Sequence, residues 1–173
     1  MSLAELLKLD IEYSTKIRIP EDKPWLKRGA AFLAHSGDSW FWGAALIALY
    51  FLGPHSWRPQ ILLLFLGIFF TAVTVLILKF TIKRPRPEGE WGQVYRSSDP
   101  HSFPSGHAAR AIMLTVIMLL TGYWGIGLIM LVWALLVVFS RVGLGVHYFS
   151  DVVVGALIGV VMGFLAVGIY SML

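Results

Sequence analysis

Long uncharged stretches in the second half of the chain predict membrane-spanning helices. Residues 61–78, 111–140 and 152–173 contain no Asp, Glu, Lys or Arg. A helix needs about 20 mostly apolar residues to cross the ~30 Å hydrocarbon core of a bilayer. The stretch 111–140 is too long for one crossing, since it would give a helix of about 45 Å. A turn-like cluster with interfacial aromatics, Thr121-Gly122-Tyr123-Trp124-Gly125, divides it. We therefore predict two helices there, at about 104–121 and 124–141.

Shorter apolar stretches precede these segments. Residues 39–51 are apolar and run into Gly53-Pro54, after which a new helix is predicted to start near Pro59. Residues 29–35 are apolar but short, and form either a separate short helix or the entry to the next span. The sequence thus predicts an all-α fold, a polytopic transmembrane bundle of five or six spanning helices, within a single domain over residues 1–173.

The N-terminal segment, residues 1–23, has a different pattern and is amphipathic. Ser2 and Glu5 have the spacing of a capping box, with Ser2 as the N-cap residue. Leu3, Leu7 and Ile11 share one helical face, and charged side chains occupy the other. This pattern favours a short helix lying in the membrane interface. The alternative is an ordinary solvated helix.

Composition narrows the class of protein. Hydrophobic residues make up 57% of the 173-residue chain and charged residues only 14%, with a mean hydropathy of +0.74. These values exclude an ordinary soluble globule and a disordered segment. Cysteine is absent, so disulfides, thiolate metal sites and a cysteine nucleophile are excluded. No EF-hand, Walker or zinc-ligand spacing is present, and we expect neither a cofactor nor a metal.

Three groups of polar residues stand at the ends of the predicted spans, where charge is costly and usually functional. The first group follows the 61–78 span and contains Lys79 and Arg86-Pro87. Taken alone, it is also typical of a positive juxtamembrane flank. Lys83 and Arg84, which lie between them, are interpreted as membrane-flanking cations.

The second group opens the next helix with Pro104-Ser105-Gly106-His107. Ser105 is a natural N-cap residue, and Gly106 lets a ligand approach the backbone. The free N–H groups and the positive helix end favour an anion here. The simpler alternative is a helix cap beside an interfacial histidine.

The third group contains Ser140-Arg141, then His147 and Asp151. If His147 and Asp151 lie on one helix, their i, i+4 spacing brings them to the same face. Asp151 can then accept a hydrogen bond from one imidazole nitrogen and leave the other as a nucleophile. The alternative is a structural pair that satisfies a buried carboxylate.

The order of the helices predicts that these groups meet. The first group ends one span and the second begins the next, while the third lies two crossings later. All three must then lie on one side of the membrane. We expect two histidines, an aspartate and several cations in one pocket.

At these residues the sequence resembles the type 2 phosphatidic acid phosphatase (PAP2) superfamily. The signature of that family is Lys, six residues, Arg-Pro; then Pro-Ser-Gly-His; then Ser-Arg, five residues, His, three residues, Asp. All three spacings are met within residues 79–151. The resemblance implies a metal-independent phosphatase that acts through a phosphohistidine.

The resemblance also implies a role for each residue. His147 attacks phosphorus, Asp151 fixes the tautomer of its ring, and His107 protonates the leaving oxygen and later activates water. The phosphate oxygens would be held by the side chains or backbone of Lys79, Arg86, Ser105, Gly106 and Arg141.

Several residues near the motifs have no role in the signature. Arg110 follows His107 by three residues and either contacts a lipid headgroup or snorkels to the membrane interface, which we favour. Residues of the 88–103 loop are expected beside the pocket, where some read the headgroup: Glu88, Glu90, Arg96, Asp99 and His101. A set of glycines is expected to allow close helix packing: Gly143, Gly145, Gly155 and Gly159.

The expected substrate is a membrane lipid phosphate, with the bilayer as the other partner and no nucleic acid. We favour a lipid A 1-phosphatase, with phosphatidylglycerophosphate and undecaprenyl pyrophosphate phosphatases as alternatives. A lipid phosphotransferase can use the same phosphohistidine. A vanadate-dependent haloperoxidase shares the motifs but has a soluble framework, and a non-enzymatic scaffold remains the alternative of another class.

The resemblance implies a bacterial inner membrane protein whose site faces the periplasm. The oligomeric state is not readable.

Overall fold

The computed structural model describes residues 2–89 and 99–172, and this part of the chain contains seven α-helices and no β-strand. An isolated antiparallel bridge joins Pro85 to His101. Glu90 and Arg96, predicted to lie beside the pocket, fall outside the described residues. The helices are α1 Leu3–Lys16, α2 Pro24–Ser36, α3 Ser39–Leu52, α4 Arg58–Ile82, α5 Gly106–Leu120, α6 Trp124–Gly143 and α7 Phe149–Tyr170.

Within residues 2–89 and 99–172, three segments are long and apolar enough to cross a membrane: His55–Ile82, which includes a 3₁₀ turn before α4, then α6 and α7. The shorter apolar helices α3 and α5 have 14 and 15 residues. Fifteen residues give about 22 Å of helix, less than the ~30 Å hydrocarbon core. The all-helical class and the division at 121–124 are confirmed, and α2 is a separate helix. The count of five or six spans stays a prediction.

Helix α5 is the centre of the bundle and packs against α4, α6 and α7. Its contact with α7 depends on glycines. A Cβ atom at Gly155 would lie 2.5 Å from the Ser105 carbonyl oxygen, and one at Gly159 would lie 2.3 Å from that of Ala109. The predicted packing role of these two glycines is confirmed. Because α5 and α7 begin side by side, their N-termini meet at one end of the bundle.

Helix α1 packs against the start of α7 through polar side chains. The predicted capping box is present, since the Ser2 N–H donates to Glu5 Oε2 at 2.7 Å and the Glu5 N–H to Ser2 Oγ at 3.3 Å. Ser14 Oγ accepts from the Phe149 N–H at 2.8 Å, so α1 caps α7. Leu7 and Ile11 stay exposed, as an interfacial position requires; the side chain of Leu3 lies outside the described part.

Candidate active site

The first polar group is built around a carboxylate that joins two cations. Lys79 lies buried in the last turn of α4, pairs with Asp99 and donates to the His101 carbonyl at 3.0 Å. Arg86 follows the helix, is also buried, and donates from Nη2 to Asp99 Oδ2 at 2.7 Å. Its Nη1 donates to the Val146 carbonyl at 2.9 Å. These bonds fix the first group against the third.

The second group forms the N-terminus of α5. Ser105 is the N-cap residue, as predicted, and its Oγ accepts from the Ala108 N–H at 3.5 Å. Its own N–H donates to the Asp151 carbonyl at 2.9 Å, so this helix start is tied to α7. Gly106 and His107 follow as the first helical residues. His107 Nε2 lies 2.7 Å from Asp38 Oδ1.

The third group differs from its prediction in one respect. His147 does not share a helix with Asp151, because α7 begins at Phe149 and Tyr148 is its N-cap residue. Asp151 instead accepts the Tyr148 N–H at 2.9 Å, which places its carboxylate beside the residue before the cap. His147 Nδ1 and Asp151 Oδ2 are 3.5 Å apart, an ion-pair distance longer than an ordinary hydrogen bond. The two side chains meet across a helix end.

A cavity of about 230 Å³ lies where the three groups meet. Of the predicted site residues, those lining it are Lys79, Gly106, His107, Arg110 and His147. Arg86 adjoins it, with Nη1 3.4 Å from His147 Nε2. Buried Arg141 acts electrostatically on His147 and Lys79, while Ser105 and Asp151 are fully buried and do not line the cavity. The described residues contain no group of three or more His, Cys, Asp or Glu side chains placed to hold a metal ion.

Burial and the nearby cations together determine the charge state of the groups around the cavity. Burial, together with the charges of Arg141, Arg86 and Lys79, holds the pKa of His147 well below its ordinary value of 6.5. Its ring is therefore neutral at neutral pH and has a lone pair free for attack. Burial works to raise the pKa of Asp99, but Lys79 and Arg86 outweigh it, so this pKa is lowered and the carboxylate is charged.

Arg110 does not snorkel to the membrane interface, and that interpretation was wrong. The side chain is 7% exposed. It donates to the Gly37 carbonyl from Nε at 2.9 Å and from Nη2 at 2.6 Å, and it also bonds Ser39. The Gly37 carbonyl, just before α3, accepts hydrogen bonds from this guanidinium inside the bundle, so the side chain does not need to extend to the aqueous interface. Arg110 still lines the cavity, so headgroup contact stays a prediction.

Arg84 was wrongly interpreted as a membrane-flanking cation. Its Nη1 donates to Asp151 Oδ1 and Ser150 Oγ, and its Nη2 to Asp10 Oδ2, each at 2.7 Å. The guanidinium also lies 4.0 Å from the centre of the Tyr148 ring. Arg84 thus links α1 to the carboxylate beside His147. Lys83, in contrast, is exposed, as a flanking cation should be.

Sequence reasoning missed the site roles of Asp10 and Asp38 and left Asp99 among several loop residues. Each is a single acid with no spacing to a motif, so no sequence signal singles it out. Of the other described loop residues, His101 contributes its carbonyl to Lys79. Glu88 is exposed, and its carbonyl accepts from Arg18 at 2.8 Å.

The fold and the site together define a helical membrane protein with a cation-rich polar cavity at one end of its apolar helices. A sequence model of the PAP2 superfamily matches residues 60–173, two thirds of the chain, and the chain therefore belongs to this superfamily.

Two solved structures resemble the whole chain. A transmembrane PAP2-type phosphatidylglycerolphosphate phosphatase from Bacillus subtilis has a TM-score of 0.79 and 27% identity, over 99% of this chain and 89% of that one. Aquifex aeolicus LpxE has a TM-score of 0.70 and 28% identity, over 94% of each chain. An undecaprenyl-diphosphatase from Sulfolobus acidocaldarius is 41% identical over 71 residues, 41% of this chain. That match spans about a third of the relative's length, 34%.

Proposed function

We propose that this chain is an integral membrane lipid phosphatase that hydrolyses a phosphate monoester or pyrophosphate of a membrane lipid through a phosphohistidine, without a metal. The observation that carries the proposal is the single cavity of about 230 Å³ lined by both His107 and His147 together with Lys79. The cavity lies at one end of helices that are long and apolar enough to span the bilayer in which a lipid substrate would reside. Residues 1–173 act as one domain in this proposal, since Asp10 of α1 bonds Arg84 and Ser150, and Asp38, just before α3, lies 2.7 Å from His107.

In the first step the neutral His147 ring attacks phosphorus through Nε2, the nitrogen that lies nearest to Arg86 at 3.4 Å. A bond forms between Nε2 and phosphorus while the bond from phosphorus to the lipid oxygen breaks. His107 gives a proton to that oxygen, so the lipid leaves as an alcohol, or as a phosphate if the substrate is a pyrophosphate. Asp151 supports the positive charge that develops on the His147 ring.

In the second step water attacks the phosphohistidine. His107, now neutral, takes a proton from the water as its oxygen bonds to phosphorus, and the bond to Nε2 breaks. Phosphate leaves and both histidines return to their starting states. Lys79, Arg86 and Arg141 balance the charge on the phosphate oxygens, with Ser105 and Gly106 at the helix start. Positioning and charge stabilisation provide most of the catalysis in such transfers.

The identity of the lipid is the finer part of the proposal. Lipid A 1-phosphate is our first candidate, as the sequence resemblance suggested. The likeness to a phosphatidylglycerolphosphate phosphatase and to an undecaprenyl-diphosphatase supports phosphatidylglycerophosphate and undecaprenyl pyrophosphate as the alternatives. We place the protein in a bacterial inner membrane with its site facing the periplasm.

The test is a phosphate-release assay with purified protein in EDTA, against a panel of these three lipids. We expect turnover without added metal and inhibition by vanadate. His147→Ala, His107→Ala and Asp151→Asn should each remove most turnover while the protein still inserts in membranes. Wild-type activity in His147→Ala would exclude the nucleophile, and a strict need for a divalent metal would exclude the mechanism. Adding an acceptor lipid separates a phosphotransferase, which would form a phosphorylated acceptor.

A further inference from the structure

The side chain that bonds His107 comes from outside the region that the superfamily model matches. That region begins at residue 60, whereas Asp38 is the N-cap residue of α3. Its Oδ1 lies 2.7 Å from His107 Nε2. Each histidine of the cavity therefore has a carboxylate beside it, Asp151 for His147 and Asp38 for His107, although only the first belongs to a motif.

Asp38 has two side-chain partners besides His107, and the residue before it is bonded to α5. Its Oδ2 interacts with His35 Nδ1 at 3.1 Å and accepts from Trp40 Nε1 at 3.2 Å. Arg110 bonds the carbonyl of Gly37, the preceding residue, so α5 holds this part of the chain at two adjacent points. Burial works to raise the pKa of Asp38, but the bonds to His107 and His35 hold it well below its ordinary value, so the carboxylate is charged.

We propose that Asp38 is a positioning residue that keeps a proton on His107 Nε2 and so leaves Nδ1 as the atom that exchanges protons with the substrate. This inference rests on the proposed function, in which His107 is the general acid. A carboxylate has no proton to give at neutral pH, so the hydrogen in the short contact belongs to the ring. With Nε2 occupied in this way, only Nδ1 can reach the leaving oxygen.

The proton balance closes over both steps. The cationic ring carries a proton on each nitrogen, and Nδ1 gives its proton to the leaving oxygen. The ring is then neutral, with Nε2–H still bonded to Asp38 and a lone pair on Nδ1. That lone pair accepts the proton of the attacking water and restores the cation. Asp38 keeps its charge throughout and favours the cationic ring, against three effects that disfavour it: burial first, then the charges of Arg141 and Arg110.

A comparison of two leaving groups distinguishes a role of Asp38 in proton transfer from a purely structural one. An alkyl phosphate needs a proton on its leaving oxygen, whereas p-nitrophenyl phosphate releases a stable phenolate without one. Asp38→Asn should therefore slow phosphoryl transfer from a short-chain alkyl phosphate to His147, measured as alcohol release in a single turnover, by about 100-fold, the scale of general acid catalysis. The corresponding single-turnover release of p-nitrophenolate should change by less than about threefold, since attack by His147 is unaffected; the later attack of water, in which His107 also acts, is slowed for both substrates and is not part of this rate. His107→Asn should show the same selectivity.

Trp40→Phe is the matched control, because it removes a neutral donor to Asp38 and leaves the contact with His107. It should change neither rate by more than about threefold. Asp38→Glu keeps the charge and should lose less of the alkyl rate than Asp38→Asn, so it tests the idea even if the Asn variant folds poorly. Equal losses for both substrates in either Asp38 variant, or no loss, would overturn the inference. Activity in His147→Ala would instead overturn the proposed function.

Discussion

Arg84→Gln provides the strongest test of how the site is supported, because sequence reasoning gave Arg84 and Lys83 the same role. Of these two residues, only Arg84 bonds Asp151, the carboxylate beside the proposed nucleophile His147. Asp151 is fully buried, and the Arg84 side chain is 13% exposed. Replacing the guanidinium with a neutral amide leaves a buried carboxylate without the cation that offsets it. We expect a loss of both stability and turnover.

The size of the loss follows from the bonds that remain. Removing one partner of a buried ion pair costs about 3–5 kcal/mol. We expect the lower end, about 3 kcal/mol, because the Tyr148 N–H still donates to Asp151 Oδ2 at 2.9 Å. In a chain of this size that corresponds to a fall in Tm of about 6–12 °C. The value of kcat should fall with little change in KM, since Arg84 supports His147 through Asp151 and does not line the cavity.

The assay compares Arg84→Gln with Lys83→Gln in detergent, by thermal melting and by phosphate release. Both variants lose one positive charge at neighbouring positions, so a general effect of charge would be equal in both. Lys83 is exposed, and its variant should melt within about 2 °C of the wild type. Equal behaviour of the two variants would refute the reasoning and restore the interpretation of Arg84 as a flanking cation.

Three further predictions concern packing, protonation and anion binding. Gly159→Ala should cost about 1–3 kcal/mol, measured by thermal melting, because its Cβ would lie 2.3 Å from the Ala109 carbonyl oxygen. Gly168→Ala, in the same helix but with open space around its Cβ position, should be neutral or slightly stabilising. Since the pKa of His147 is lowered, the acid limb of the kcat profile should lie well below pH 6.5; an acid limb at or above that value would contradict this. Asp99→Asn should tighten vanadate inhibition by about threefold to tenfold, because a charged carboxylate no longer competes for Lys79 and Arg86; unchanged or weaker inhibition would argue against it.

Hydropathy and spacing predicted most of the framework. The division of residues 111–140 was predictable because Gly122 and the flanking aromatics interrupt the apolar stretch, and α5 does end at Leu120. The meeting of the three polar groups followed from the order of the helices alone. Such features are local, or depend only on connectivity, so the sequence contains enough information to predict them.

The contacts that complete the site depend on how distant segments pack. An aspartate at position 10 or 38 has many conceivable partners, and only the packing of α1 and of the α2–α3 connection selects Arg84 and His107. The position of Asp151 at a helix start could have been predicted from the sequence, since an acid at the third position of a helix often caps its start. The error was to extend α7 back to His147 instead of starting it after Tyr148.

The packing of residues 1–59 supplies negative charge that the motif region lacks. The proposed phosphate site needs several cations, and isolated buried charges are unfavourable in a membrane. Asp10 and Asp38 provide two of the balancing carboxylates, and they act at different histidines. Asp10 bonds Arg84, which bonds Asp151 beside His147, the proposed nucleophile, whereas Asp38 bonds His107, the proposed general acid.

This division leads to a last prediction about substrate dependence. Asp10→Asn weakens the support of the nucleophile, which every substrate requires. It should therefore lower kcat for an alkyl phosphate and for p-nitrophenyl phosphate by similar factors, about 10-fold if roughly 1.4 kcal/mol of that support is lost. In a single turnover, which excludes the later attack of water, Asp38→Asn should slow phosphoryl transfer from the alkyl phosphate alone. If Asp10→Asn were selective for the alkyl phosphate, its effect would pass through the general acid, and the two carboxylates could not have separate roles. Single-turnover rates for the two substrates, measured side by side at several pH values, distinguish equal losses from a loss that is selective for the alkyl phosphate.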